Sequence, residues 1–235
     1  MSLKGVFPID KWDFNSQSIL ADIPAEEYEY LFRNSVEEKY SKSQLIFREG
    51  ANPSGIFYIK SGKVKKYKAD NFGKEKIFYV ANAGELIGYH AILASERYPD
   101  SATALEESVL SFIPKEDFLE VLDQSAILLR RLLKTLSHEF AVFANTISVF
   151  AQRSVRERLA ITLIVLREKY KKDALAGQPI IINLSRNDIA SMVGTTRENI
   201  VRLLREFKDE ELIETKGRKI WVLDVKKMVA ISNYK

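Results

Sequence analysis

The chain has 235 residues, 46% of them hydrophobic, enough to bury real cores, and its length suggests two domains. It contains no Cys and only two His, which excludes disulfides, thiolate zinc sites, cysteine-ligated iron-sulfur clusters and cysteine nucleophiles. No apolar run approaches the ~18 residues of a membrane span, and the MSLKG start lacks the basic and apolar regions of a signal peptide. We therefore expect a cytoplasmic protein without a membrane partner.

The net charge of +4 is unevenly distributed along the chain. Residues 1–150 carry 18 Lys and Arg against 21 Asp and Glu, whereas residues 151–235 carry 18 against 11. A basic domain that neutralises phosphate, attached to a slightly acidic one, is typical of a nucleic-acid-binding protein.

The first half of the chain is predicted to be β-rich after a helix over residues 19–34. Runs of β-branched and aromatic residues alternate with Gly at intervals of about a dozen residues, which predicts an antiparallel barrel or roll. These runs are residues 44–47, 55–60, 63–68, 76–80 and 109–113. An all-β domain without a ligand is an open alternative.

Residues 116–150 contain neither Gly nor Pro, and large apolar residues recur there with the alternating four- and three-residue spacing of a coiled coil. We predict a dimerisation helix over residues 116–152 whose partner is a second copy of the chain. The alternative is a single helix packed on its own β-domain. His138 lies between two of the apolar positions and is expected to face solvent. The predicted interface residues, the seam, are Leu129, Leu133, Leu136, Phe140, Phe143, Ile147 and Phe150.

An amphipathic helix over residues 154–171, a polar loop over 171–178 and a brief strand over 180–182 precede two short helices in residues 184–205. Val193, Gly194 and Thr195 form the predicted turn between these helices, and Ser185 with Asp188 and Thr195 with Glu198 have capping-box-like spacing. This is the layout of a helix-turn-helix; an ordinary helical hairpin with a charged surface is the alternative.

The second helix of the pair presents Arg197, Glu198 and Arg202 on or near its outer face. Arg can donate two bonds to guanine and a carboxylate can accept one from cytosine, so these residues are candidate base readers. Arg186, Thr195 and Thr196 are further candidate DNA contacts.

Residues 212–216 and 219–223 flank Gly217 and Arg218 as a predicted β-hairpin. A hairpin directly after a recognition helix is a wing, and its Lys216, Arg218 and Lys219 are placed to meet phosphate. A merely solvated turn is the alternative for these three residues.

Over about residues 20–225 the chain resembles the Crp/Fnr superfamily of bacterial transcription regulators. The resemblance is carried by IFREGANPSGIFYIKSGKVK (residues 46–65), GELIG (84–88), the long helix and, most specifically, TRENIVR (196–202). It implies an α+β protein with a cyclic-nucleotide-binding-type β-roll (1–115), a dimerisation helix (116–152) and a winged helix-turn-helix (153–235). It further implies a homodimeric regulator that binds double-stranded DNA at TGTGA-type half-sites through Arg197, Glu198 and Arg202, with RNA polymerase as a candidate partner.

The resemblance also implies an effector pocket, which departs from the cyclic-AMP pattern. Asp100 stands where the family has the Arg that clamps the cyclic phosphate, and a carboxylate repels a phosphodiester. Phe143 and Ala144 occupy the positions of the hydroxyl pair that contacts adenine, and their side chains cannot hydrogen-bond. We expect no response to cyclic AMP and no cofactor, although Arg97 could replace the clamp. The predicted pocket residues are Gly84, Glu85, Leu86, Arg97, Asp100, Ser101 and Phe143.

Other classes of function are less well supported. His90 lies near the position of the axial ligand in haem-based gas sensors of this superfamily, which makes such a sensor an alternative. A β-roll that governs a partner enzyme is a second alternative. An enzyme is not expected, because no nucleophile-base pair, metal cluster or phosphate-binding glycine loop is evident.

Overall fold

The computed structural model describes residues 3, 5–172, 174 and 178–234. The chain divides into two compact units, Phe14–Phe140 and Met1–Asp13 with Ala141–Lys235. The first unit extends beyond the predicted boundary at residue 115, because Leu128 and Leu132 of the long helix belong to its core. Part of the predicted polar loop, at residues 173 and 175–177, lies outside the described residues.

In the unit Phe14–Phe140, all of whose residues are described, eight strands form two antiparallel sheets of four. The sheet orders are β1-β8-β3-β6 and β2-β7-β4-β5, so the predicted antiparallel roll is confirmed. Three strands were not predicted, β1, β6 and β7, because their sequences VEEKY, LI and SATA are polar or very short. The strands are β1 Val36–Tyr40, β2 Leu45–Phe47, β3 Gly55–Ser61, β4 Lys63–Ala69, β5 Glu75–Asn82, β6 Leu86–Ile87, β7 Ser101–Ala104 and β8 Ser108–Pro114.

The helices of this unit pack against the first sheet and form one hydrophobic core with it. They are a 3₁₀ turn Ser16–Ser18, α1 Ala25–Phe32, α2 Tyr89–Ala94, α3 Lys115–Gln124 and the start of α4 Ala126–Gln152. The helix predicted over 19–34 begins later, at Ala25, because Pro24 precedes it in an extended conformation. Leu31, Ile56, Phe118 and Leu128 bring α1, β3, α3 and α4 into one buried cluster.

The single helix predicted over 116–152 is two helices, and the break lies at Ser125. This residue has an extended backbone (φ −107°, ψ 96°). Its hydroxyl accepts a hydrogen bond from the Leu128 amide at 3.0 Å and donates one to the Glu27 carboxylate. A Ser that caps the following helix ends α3 without the Gly or Pro that would have marked the break in the sequence.

Helix α4 has two apolar faces. One face is buried within the chain and includes Leu128, Leu132, Val142 and Val149. The other is the seam, in which Leu129, Leu133, Phe140 and Ile147 are exposed and Leu136, Phe143 and Phe150 are half-buried. His138 does not face solvent as expected, because it is half-buried and its Nε2 accepts a hydrogen bond from Asn15 Nδ2 at 3.0 Å.

The other unit is a winged helix preceded by a 3₁₀ turn, Ile9–Trp12. Its sheet has the antiparallel order β10-β11-β9. Among the described residues, no helix is long and apolar enough to cross a membrane. The remaining elements are α5 Val155–Lys171, β9 Ile182–Asn183, α6 Arg186–Val193, α7 Arg197–Asp209, β10 Ile213–Lys216, β11 Lys219–Val222 and α8 Val225–Ser232.

Candidate nucleic-acid interface and effector pocket

The turn between α6 and α7 depends on Gly194. Its backbone is left-handed (φ 71°, ψ 53°), and its amide donates to the Ala190 carbonyl at 2.8 Å, which ends α6. A side chain in this conformation would be strained, so the Gly is required where the chain reverses. At the other end of α6, the Ser185 hydroxyl accepts from the Asp188 amide at 3.0 Å, as its spacing predicted.

The N-cap of helix α7 lies one residue later than predicted. The cap is Thr196 rather than Thr195, and the Thr196 hydroxyl accepts from the Asn199 amide at 3.2 Å. Thr195 instead accepts from the Asn199 side-chain amide at 2.8 Å. Both Thr hydroxyls therefore hold the first turn of α7 in place, and Arg197 becomes its first residue.

One face of α7 is buried in the core and the opposite face is exposed to solvent. Ile200, Leu203, Leu204 and Phe207 are buried, which fixes the rotation of the helix about its axis. Arg197, Glu198, Arg202 and Arg205 are exposed as a consequence. The three predicted base readers thus share the solvent face, with Arg197 and Glu198 in the first turn.

Arg202 is already held in a defined orientation. Its Nη2 donates to Asn199 Oδ1 at 2.7 Å, and its Nη1 donates to Glu206. Glu206 also pairs with Arg156 of α5 at 3.5 Å. Nη2 of Arg156 in turn donates to both carboxylate oxygens of Glu210, at 2.7 and 2.8 Å. No local pattern indicated a role for Arg156, because its partners Glu206 and Glu210 lie 50 and 54 residues further along the chain.

Arg158 is a second residue that the sequence analysis missed. Its Nε donates to the Val193 carbonyl at 2.9 Å, and its Nη1 donates to the carbonyls of Arg153 at 3.1 Å and Phe150 at 3.3 Å. Burial lowers the pKa of this guanidinium below its usual value. One side chain thereby joins the last turn of α4 to the turn of the helix-turn-helix.

The wing is the predicted hairpin β10–β11. Lys216, Arg218 and Lys219 are exposed at its tip. Arg186, predicted to contact DNA, is half-buried, and its Nη2 donates to the Gly217 carbonyl at 3.0 Å. Burial lowers the pKa of Arg186. In the structure, Arg186 therefore holds the wing against the start of α6.

In the β-roll, the predicted pocket residue Glu85 is fully buried and well bonded. Its Oε2 accepts from the Tyr79 hydroxyl at 2.6 Å and the Ser16 hydroxyl at 3.0 Å, and its Oε1 accepts from the Asn82 amide at 3.0 Å. Gly84 precedes it with a left-handed backbone (φ 88°), and Leu86 is buried in β6.

Asp100, Ser101 and Arg97, which were also predicted to line the pocket, each contact a different partner. Asp100 pairs with Lys66 at 3.2 Å, and both side chains are almost fully buried. Ser101 Oγ accepts from the Glu49 amide at 2.9 Å. Arg97 is exposed and donates to the Gly50 carbonyl at 2.8 Å. Phe143 belongs to the other compact unit.

A buried acidic cluster surrounds Tyr89 of α2. Its hydroxyl donates to Glu139 of α4, and the neighbouring His90 Nε2 donates to Glu139 Oε2 at 2.5 Å. Burial is the main cause that raises the pKa of Tyr89 well above its usual value, with the charges of Glu139, Glu85 and Asp100 adding to it. In the described part of the chain, no group of three His, Asp or Glu side chains could hold a metal ion.

A β-roll, a long helix and a winged helix-turn-helix in this order define a class of DNA-binding transcription regulators with an N-terminal effector-binding domain. Residues 37–125 match the model of the cyclic nucleotide-binding domain, and residues 157–231 match that of the Crp-like helix-turn-helix domain. The chain belongs to the Crp/Fnr family of transcription regulators.

The curated relatives agree with this assignment, and a solved structure shares the fold. The chain is 29% identical to the fumarate and nitrate reduction regulatory protein of Vibrio cholerae over 183 residues, 78% of this chain and 73% of that protein. It is 27% identical to the transcriptional activator protein Anr of Pseudomonas aeruginosa, over 81% of this chain and 78% of that one. A Crp/Fnr-family regulator from Eubacterium rectale shares its fold with a TM-score of 0.72 at 21% identity, covering 90% of this chain and 96% of that one.

Proposed function

We propose that this chain acts as a homodimer that binds DNA sequence-specifically and regulates transcription without responding to cyclic AMP. The observation that carries the proposal is the exposed face of α7, where Arg197, Glu198 and Arg202 project from a helix whose rotation is fixed by its buried side. Arg and Glu at the start of a recognition helix are suited to read G·C pairs in a major groove.

The seam of α4 supports a dimer. Phe140 is 76% exposed and Ile147 69% exposed, although both are large and apolar. A continuous apolar stripe of this kind is rare on a monomer and is covered when two such helices pair. Related by a two-fold axis, the two recognition helices would enter successive major grooves ~34 Å apart and contact TGTGA-like half-sites.

The pairing of Asp100 supports the absence of a cyclic-AMP response. A cyclic phosphate at this position would have to break the Lys66–Asp100 pair and then face a buried carboxylate. Arg97 donates instead to the Gly50 carbonyl at the surface. The haem alternative also loses support, because the Nε2 atom that would coordinate iron from His90 is bonded to Glu139.

The relatives' names include a transcriptional activator. We extend regulation of transcription to this chain, with RNA polymerase as the partner to be expected if the bound protein activates.

The proposal is tested by measuring binding to TGTGA-containing and scrambled duplexes over a range of salt concentrations. We expect Arg202→Ala to cost about 1–3 kcal/mol and to relax discrimination at one guanine. Arg218→Ala should weaken binding to all sequences alike and reduce the salt slope by about one.

Arg48→Ala, at an exposed β-roll position, is the matched control and should leave binding unchanged. If Arg197→Ala and Arg202→Ala each preserved the sequence preference of the wild type, the assignment of the base readers would be wrong.

A further inference from the structure

Residues 14–19, the N-terminal segment, lie against the polar interior of the β-roll. The Phe14 ring stacks on Tyr79 with centroids 3.7 Å apart and planes 7° apart, and only 3% of Phe14 is exposed. The Phe14 amide donates to the Tyr79 hydroxyl at 3.2 Å, and Ser16 Oγ donates to Glu85 Oε2 at 3.0 Å. The segment thus contacts Glu85 both directly and through Tyr79.

The same segment is held from the opposite side by α4. Asn15 Nδ2 donates to His138 at 3.0 Å, and Ser18 Oγ lies 3.5 Å from Thr135 Oγ1. Asn15 has a left-handed backbone (φ 59°, ψ 25°), a conformation that Asn tolerates better than most residues. This turn allows the residues on both sides of Asn15 to face Tyr79 and Glu85 while Asn15 itself faces the helix.

A buried ion pair lies beside the segment. Lys66 Nζ pairs with Asp100 and lies 6.0 Å from the centroid of the Phe14 ring. The segment brings a flat aromatic ring and a hydroxyl group, which are two of the groups a nucleoside would bring, and it brings no phosphate for Asp100 to repel.

We propose that the N-terminal segment is the resident occupant of the effector position, so that the β-roll binds a piece of its own chain in place of a diffusible nucleotide. This deepens the proposed function, because it gives a cause for the absence of a cyclic-AMP response. It does not depend on the dimer or on DNA binding, and its tests use no DNA, so the two proposals can fail separately.

The first test measures hydrogen-deuterium exchange of the wild-type, full-length protein. The amides of Phe14, Ser18 and Ile19 donate within the fold and should exchange at least about 100-fold more slowly than in a free peptide. Millimolar cyclic AMP or cyclic GMP should leave their rates unchanged. Exchange at the free-peptide rate, or acceleration by either nucleotide, would overturn the proposal.

The second test removes the groups that fill the site. The double variant Phe14→Ala/Ser16→Ala should lower the unfolding midpoint by about 10 °C, since a buried ring is lost. The matched control Phe72→Ala/Ser137→Ala truncates an exposed ring and an exposed hydroxyl and should shift the midpoint by no more than about 2 °C.

Adenosine, which has no phosphate, is the probe for the vacated site. At millimolar concentration it should raise the midpoint of the Phe14→Ala/Ser16→Ala variant and leave that of the wild type unchanged. An equal response of both proteins, or of neither, contradicts the proposal. If the double variant does not fold, the exchange measurement on the wild type decides the question.

Discussion

Arg158 illustrates how much a single side chain can organise in the winged-helix unit. The last carbonyls of a helix have no hydrogen-bond partners within the helix and carry partial negative charge. A cation placed there supplies both the missing donors and a compensating positive charge. Arg158 meets the carbonyls of Phe150 and Arg153 in this way and reaches Val193 with its remaining donors. A planar guanidinium is needed, because an ammonium group cannot span acceptors in three directions at fixed spacing.

We expect Arg158→Lys to lower the free energy of unfolding by about 1–3 kcal/mol, because charged hydrogen bonds to buried carbonyls are lost. Chemical denaturation followed by circular dichroism measures the change. Arg153→Lys is the control, since among the described residues the Arg153 side chain contributes only a 3.9 Å ion pair to Glu157, and its effect should stay within about 0.5 kcal/mol. Equal effects of the two substitutions would show that Arg158 does not join these elements.

At the scale of elements, α5 shows how local sequence fixes a helix start. Ser154 accepts from the Glu157 amide at 3.3 Å, and Glu157 accepts from the Ser154 amide at 2.7 Å, which is a complete capping box. The hydrogen bonds from Ser154 lower the pKa of Glu157 below its usual value. Because the folded pKa is depressed, the stabilisation by Glu157 is present above the unfolded pKa and is lost as pH falls through the folded one.

Ser154→Ala should therefore destabilise the protein by about 1 kcal/mol near neutral pH. The difference from the wild type should shrink below about pH 4, because Glu157 becomes protonated there and its carboxyl group no longer strengthens the capping box with its charge. Unfolding midpoints at neutral and acidic pH measure both effects. A difference that did not change with pH would mean that the carboxylate contributes nothing to the cap.

At the scale of the whole molecule, the seam of α4 leads us to expect a dimer. Phe140→Glu replaces the most exposed apolar residue of the seam, so it should disrupt a dimer while leaving the folded chain intact. We expect sedimentation velocity at micromolar concentration to show a dimer for the wild type and a dissociated form for this variant.

Leu223→Glu is the control for the assembly experiment, because Leu223 is 58% exposed but lies outside α4. It should remain a dimer. A wild-type chain that sediments as a monomer would refute the predicted interface.

The sequence by itself determined the family and most of the elements. Alternating apolar residues and regularly spaced Gly predicted the antiparallel roll, and the caps, the turn at Gly194 and the TRENIVR pattern predicted the helix-turn-helix. These features could be predicted from the sequence because periodicity and capping involve residues that are close together in the chain.

Only the tertiary structure decided which groups meet across long stretches of chain. Ser16 and Glu85 are 69 residues apart, and Arg158 and Val193 are 35 apart, yet each pair is hydrogen-bonded. The break at Ser125 likewise depends on Glu27, a partner from α1. Such contacts leave no local pattern, because a buried polar group must find a partner wherever packing places one.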